Sequence, residues 1–290
     1  MPTVTGIILA GGEGTRLWPL TASISKQLLP VCDKPMIFYS VSILILSGVK
    51  KIIIITKTRD LKNYKSILND GSQWGVEILY VLQDEAKGIP DAIMLCKSNI
   101  LAGKIIVCLG DNIFHGSGLV DGIKNFIMSG CNGAKLFLKK VKDPRRFGVA
   151  VIDDKGKVIS LQEKPMQPKS SLAITGIYGL DCSVFEKIPS LNYSKRGELE
   201  MVDLLNLYNN EHNLSNDILG RGISWLDTGT PKSLLAASNF IDAIQETSGD
   251  LIGCPEEAAY NMGLIDKDRV LSLSKKYVKS EYRENLSKIC

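Results

Sequence analysis

The sequence predicts an α/β fold on a mainly parallel central sheet, and three observations carry that reading. Short apolar runs alternate with helical patterns through the first half, a glycine loop directly follows the first run, and helical periodicity takes over at the end. Residues 6–10, 51–56, 76–81, 104–109 and 134–138 are rich in Ile, Val and Leu and too short for helices, so they read as buried strands. Residues 36–47, 61–68, 91–98 and 119–129 have the spacing of the helices that connect them. Strand and helix in alternation imply parallel strands covered on both faces.

After Lys140 the pattern changes. Residues 148–152 and 158–161 flank the turn Asp153-Asp154-Lys155-Gly156 and predict a hairpin, with glycine at the position that tolerates positive φ. Residues 173–180 predict another strand. Residues 231–243, and the chain from Glu256 onward, predict helices. No repeat or low-complexity linker interrupts the order. The expectation is a single domain over residues 1–290, with a first part to residue 140, a small β insertion over 141–230 and a helical part over 231–290.

With 290 residues, 44% of them hydrophobic, the chain can bury one large core or two close-packed ones. A net charge of +4 is small for this length, which argues against a nucleic-acid partner but permits a locally basic pocket. The cysteines are scattered, odd in number and without a C-x-x-C pair, and only His115 and His212 are present. Neither a disulfide framework nor a zinc site is indicated. No apolar run is long enough to span a bilayer, and no basic region precedes the first one, so a reduced, cytoplasmic protein without a membrane partner is expected.

The strongest motif is Leu9-Ala10-Gly11-Gly12-Glu13-Gly14-Thr15-Arg16-Leu17. Glycines after a strand let backbone N–H groups approach phosphate oxygens, and Arg16 adds a fixed fork of donors. Alone, such a segment is as readily an ordinary tight turn. It is not a Walker loop, because Lys and Ser or Thr do not follow Gly14. Nor is it a dinucleotide fingerprint, because Leu17 stands where a third glycine is required and Ile55-Thr56 closes the second strand without an acid. Pro19-Leu20-Thr21, Ser25-Lys26-Gln27-Leu28-Leu29-Pro30 and Asp33-Lys34-Pro35-Met36-Ile37 follow, placing a second cation, Lys26, ten residues after Arg16.

With these blocks the chain resembles the sugar-1-phosphate nucleotidylyltransferases, and within them the glucose-1-phosphate thymidylyltransferases. The GGxGTRLxPLT loop and the K-Q-L-L-P block both stand nearly intact, and the likeness runs over almost the whole chain. The resemblance implies a nucleotidyltransferase (Rossmann-like) sheet with a sugar-binding insertion. It implies that Arg16 and Lys26 hold a triphosphate while Leu9, Gly11, Gly12, Gly14 and Thr15 wrap it.

Other segments gain meaning from the same likeness. Asp111, in Leu109-Gly110-Asp111-Asn112, follows a buried strand and would otherwise read as a turn or capping residue; Asp227, in Trp225-Leu226-Asp227-Thr228-Gly229-Thr230, lies in a polar turn. The resemblance makes the two carboxylates Mg²⁺ ligands, and Asp111 also a nucleotide contact. Glu163-Lys164 could be a plain surface pair; by resemblance Lys164 meets the sugar phosphate and Glu163 accepts sugar hydroxyl protons. Gly148, Thr175, Tyr178, Arg196 and Trp225 stand in segments similar to the family's sugar site. Gln83 can offer a donor and an acceptor to a pyrimidine edge, and Gly88 admits close backbone approach. Ala86 and Pro90-Asp91 depart from the usual thymidylyltransferase pattern there.

The implied reaction joins dTTP to α-D-glucose 1-phosphate and releases pyrophosphate, with Arg16, Lys26, Lys164, Asp111 and Asp227 as its core groups and UTP tolerated. The alternatives are a UTP- or CTP-dependent transferase, a nucleotide-dependent oxidoreductase, which the failed fingerprint opposes, and a non-catalytic sugar-nucleotide sensor. A homo-oligomer, commonly a tetramer, is also implied. Residues Gly253-Cys254-Pro255-Glu256-Glu257, with Arg221, would contribute to a feedback site for a downstream sugar nucleotide.

Overall fold

The computed structural model describes residues 3–130 and 132–289; Cys131 and Cys290, among the cysteines read above, lie outside them. The chain begins with β1 (Val4–Leu9), β2 (Pro30–Val31), β3 (Lys34–Pro35), α1 (Ile37–Leu46) and β4 (Lys51–Thr56). It continues through α2 (Leu61–Leu68), β5 (Glu77–Leu82), α3 (Ile89–Leu95), β6 (Lys104–Leu109), β7 (Asn112–His115) and α4 (Leu119–Met128). Then come β8 (Ala134–Lys140), β9 (Gly148–Ile152), β10 (Val158–Glu163), β11 (Leu172–Asp181), α5 (Val184–Lys187) and α6 (Met201–Asn210). The remainder is β12 (Leu214–Ile218), β13 (Ser224–Asp227), α7 (Pro231–Ser248), α8 (Pro255–Asn261), α9 (Lys267–Ser274) and α10 (Glu281–Lys288).

The class is the expected α/β with a large, mostly parallel central sheet, ordered β10-β9-β11-β6-β1-β4-β5, with β8 beside β11 and β12 beside β8. β4 and β5 pair in parallel from Lys51 opposite Glu77 to Thr56 opposite Leu82, and β8 and β12 are parallel as well. β11 runs antiparallel to β6 and β8, and the hairpin predicted across Gly156 forms β9 and β10. Among the described residues no helix is long and apolar enough to cross a membrane.

Two compact units interleave along the chain. One comprises residues 1–7, 85–108 and 116–225; the other comprises 8–84, 109–115 and 226–290. The first holds the β8–β11 strands and α6, with Phe137, Leu138, Val149, Ala173 and Tyr208 buried in it. The second holds β4 and β5 with α1 and α8, and its core includes Val31, Met36, Tyr39, Ile113, Ala237 and Ile241. The all-apolar run of β4, four consecutive isoleucines, is what a strand buried on both faces requires.

Candidate active site

In the second unit the glycine loop leaves the carboxyl end of β1, the edge where open α/β sheets bind ligands. Its start is fixed by main-chain bonds. The Ala10 N–H donates to Ile55 O at 2.8 Å, and the Gly110 N–H donates to Leu9 O at 3.0 Å. The Ala10 carbonyl accepts from Ser25 Oγ and Tyr64 Oη, at 3.2 and 3.1 Å. Farther on, Thr21 Oγ1 donates to Gly14 O at 2.9 Å, and Leu17 is buried. Gly12, Thr15 and Arg16 remain exposed, so the loop is pinned at both ends and open between them.

Lys26 is buried, and its Nζ donates to Asp111 Oδ2 at 2.6 Å. Asn112 Nδ2 donates to the other oxygen, Oδ1, at 2.7 Å. The turn carrying Asp227 is tied to the same place, because buried Thr228 donates its Oγ1 proton to the Asp111 carbonyl at 2.8 Å. Arg16 and Asp227 both reach that turn: a Cβ at Gly229 would stand 2.9 Å from Arg16 Nη2 and 3.1 Å from Asp227 Oδ1. Arg16, Lys26, Asp111 and Asp227, more than 200 residues apart at the extremes, thus gather within one unit. Gln83 is half-buried at the end of β5, its N–H bonded to Thr56 O at 2.9 Å.

Among the described residues no group of three or more His, Cys, Asp or Glu is arranged to hold a metal. The donor set is two carboxylates and no soft ligand. That suits a hard cation such as Mg²⁺, which keeps waters and takes further ligands from substrate phosphates.

The other predicted residues lie in the first unit. Glu163 ends β10, and Lys164 follows with φ +40°, a left-handed conformation uncommon for a side-chain-bearing residue. Its N–H is held by Phe147 O at 3.1 Å and its Nζ stands 2.9 Å from Glu163 Oε1. Arg196 Nη2 is 3.5 Å from the same Glu163 oxygen, and Arg196 makes its strongest bonds to Glu200, at 2.7 and 2.9 Å. Hydrogen bonding to Glu200 raises the Arg196 pKa. Burial pushes the Glu200 carboxyl upward, but hydrogen bonds and the charges of Arg196 and Lys164 outweigh it and hold the pKa below the ordinary value.

Gly148 begins β9, and Trp225 packs its ring against Phe147, with centroids 4.8 Å apart. Thr175 and Tyr178 are buried on β11, and the Thr175 hydroxyl donates to Phe137 O at 2.8 Å, leaving its lone pairs to accept. Gly88 bridges Leu199, bringing the predicted base segment against the loop that carries Arg196. The sequence reading missed that contact and the pairing of Glu200 with Arg196; the i, i+4 spacing from Arg196 to Glu200 was the available signal. In the tail, Glu256 is buried and accepts from the hydroxyls of Tyr277 and Tyr282, each at 2.6 Å, while Arg221 is exposed in the first unit.

Comparison with known proteins identifies the family. The family model for nucleotidyl transferases matches residues 5–244. The chain is 44% identical over 282 residues to a glucose-1-phosphate thymidylyltransferase of Xanthomonas campestris pv. campestris, spanning 97% of this chain and 95% of that protein. It is 41% identical to the Mycobacterium tuberculosis protein of the same name, spanning 96% of both. A Bacillus anthracis chain provisionally named glucose-1-phosphate thymidylyltransferase and crystallised with sucrose superposes with a TM-score of 0.77 at 41% identity, over 82% of this chain and 95% of that one. A UDP-glucose pyrophosphorylase bound to UDP-glucose shares the fold, with a TM-score of 0.73 at 23% identity, over 83% of this chain and 99% of that one. The chain belongs to the nucleotidyl transferase family, in the branch of the glucose-1-phosphate thymidylyltransferases.

Proposed function

We propose that the enzyme joins dTTP to α-D-glucose 1-phosphate, giving dTDP-glucose and pyrophosphate. The observation that carries this reading is the convergence of Arg16, Lys26, Asp111 and Asp227 beside an open glycine loop. A sugar phosphate oxygen is already anionic at neutral pH, so no strong base is needed. That oxygen bonds to the α-phosphorus, the bond from the α-phosphorus to the bridging oxygen breaks, and pyrophosphate carries away the electron pair. The protein's task is to align two anions and offset their repulsion.

Arg16, Lys26 and the loop amides hold the triphosphate, and Gln83 and Gly88 address the base. Lys164 and Arg196 hold the sugar phosphate, with Glu163 accepting from sugar hydroxyls and Gly148, Thr175, Tyr178 and Trp225 completing the sugar contacts. Asp111 and Asp227 would hold Mg²⁺, which when bound neutralises phosphate charge. Lys164 holds a left-handed backbone conformation at the end of β10, a cost that a ligand contact would account for. A cytoplasmic homotetramer goes with this reading, and sedimentation tests the tetramer.

The experiment crosses dTTP, UTP, CTP and purine triphosphates with a panel of sugar 1-phosphates and measures pyrophosphate. The expected best pair is dTTP with glucose 1-phosphate, with UTP used less well. One methyl group discriminates by only about 1–3 kcal/mol. A highest kcat/KM with CTP or a purine would overturn the assignment.

A further inference from the structure

The glycine loop contains a charge that a phosphate cradle does not need. Glu13 stands between Gly12 and Gly14, in the stretch whose amides face the triphosphate in the reading above. A carboxylate there repels a polyanion. Its partner is Lys57, whose ammonium donates to the Glu13 carboxylate.

The two ends of this pair are unlike. Lys57 follows β4 at the carboxyl end of a parallel strand and is buried, whereas Glu13 is half exposed on the loop. The loop lies directly on that strand end: a Cβ at Gly11 would stand 3.8 Å from the Thr56 carbonyl carbon and 3.9 Å from Ile55 O. The strand therefore fixes an ammonium against the loop. Glu13 is the carboxylate that forms a direct ion pair with it; hydrogen bonds from Thr58 hold the pKa of Asp84 down, and Asp84 lies near enough for the Lys57 charge to help. A buried cation must keep an anionic partner, but a partner on an exposed side chain is easily exchanged for another anion.

We propose that Lys57 is a third cation for the triphosphate, beside Arg16 and Lys26, and that Glu13 masks it until the nucleotide arrives. The proposal rests on the triphosphate reading of the loop. On binding, phosphate oxygens replace the Glu13 carboxylate on Lys57, and Glu13 turns to solvent through its exposed side. Lys57 then raises nucleotide affinity while Glu13 lowers it. A purely structural latch has a different signature: losing either partner loosens the loop, and both substitutions act in the same direction.

The test measures dTTP dissociation constants by calorimetry, with Mg²⁺ and without sugar phosphate, for the native enzyme, Glu13→Ala, Lys57→Met and the double variant. Glu13→Ala is expected to bind several-fold tighter. Lys57→Met is expected to bind roughly tenfold weaker or worse, the scale of a lost charged hydrogen bond. In the Lys57→Met background the gain from Glu13→Ala should shrink, because nothing remains to unmask. Weakened or unchanged binding by Glu13→Ala overturns the mask; that residue lies on an exposed loop, so its sign decides even if Lys57→Met proves unstable. If the native protein bound no nucleoside triphosphate, the reading of the loop would fall along with the mask. Binding with the wrong sign sinks the mask alone.

Discussion

One charged group in each unit makes an instructive contrast. In the second, Lys26 and Asp111 form a pair with side chains 6% and 26% exposed, brought together across 85 residues of chain. In the first, Lys164, Glu163 and Arg196 are 46%, 30% and 47% exposed and come from two short stretches. The difference matters because exposed ion pairs contribute about 0–1 kcal/mol to stability, whereas removing one partner of a buried pair costs several. The buried pair is part of the fold as well as of the site. The exposed Lys164–Glu163 pair contributes little to the fold, whereas Arg196 is also anchored to buried Glu200.

That contrast makes the strongest prediction about Lys26. Lys26→Met leaves Asp111 without its buried cation, and both activity and fold should suffer. Turnover should fall by orders of magnitude, and stability by about 2–3 kcal/mol, less than for a fully enclosed pair because Asp111 can still be hydrated. Thermal melting beside steady-state kinetics checks both halves. A stable, nearly active variant would break the comparison at its root.

Lys164→Ala should separate the two effects. Activity should drop roughly a hundredfold, with the loss concentrated in kcat/KM for the sugar phosphate, because a cation on a reacting phosphate contributes on the order of 3 kcal/mol. The melting temperature should hardly move, since the Glu163 pair is open to water. Near-normal kinetics would return Lys164 to the surface.

A smaller effect should come from Gly88, where the first unit departs from what its sequence suggests. Gly88 adopts φ +100°, and a Cβ would fall 2.1 Å from Leu199 O. The Leu199 N–H already donates to Lys87 O at 2.8 Å. Gly88→Ala must therefore push away the main chain that carries Arg196, at about 1–3 kcal/mol for the strained backbone. We expect the KM for sugar phosphate to rise at least as much as the KM for dTTP. A change confined to dTTP would mean that Gly88 serves only the base.

These cases also show which features could be read in the sequence. The sheet was readable because four isoleucines in β4 and the apolar run of β6 leave no other fold for strands of that length. The glycine loop and the Lys26 block were readable because their residues are contiguous and act through backbone or fixed charge. The elements not anticipated include the two-residue strands β2 and β3, the short helix α5, the strands β7, β12 and β13, whose mixed polarity gives no clear pattern, and α6, which starts inside a loop read for its charges. The Lys26–Asp111 pair and the Leu199 crossing at Gly88 exist only in three dimensions. No local pattern encodes them. Gly88 is a point of close approach for the protein's own chain at Leu199.

On the function proposed above, Asp111 and Asp227, joined through the Thr228 bond to the Asp111 carbonyl, would act as one site with Mg²⁺. Groups that work as a unit give strongly non-additive losses, because removing either already dismantles the site. The decisive measurement is turnover of the native enzyme, Asp111→Asn, Asp227→Asn and the double variant across a magnesium titration. Each single substitution should remove most activity while leaving the fold intact, the double should be little worse than the worse single, and chelation should silence the native enzyme to a similar level. Additive losses, or a native enzyme indifferent to chelator, would contradict the shared site.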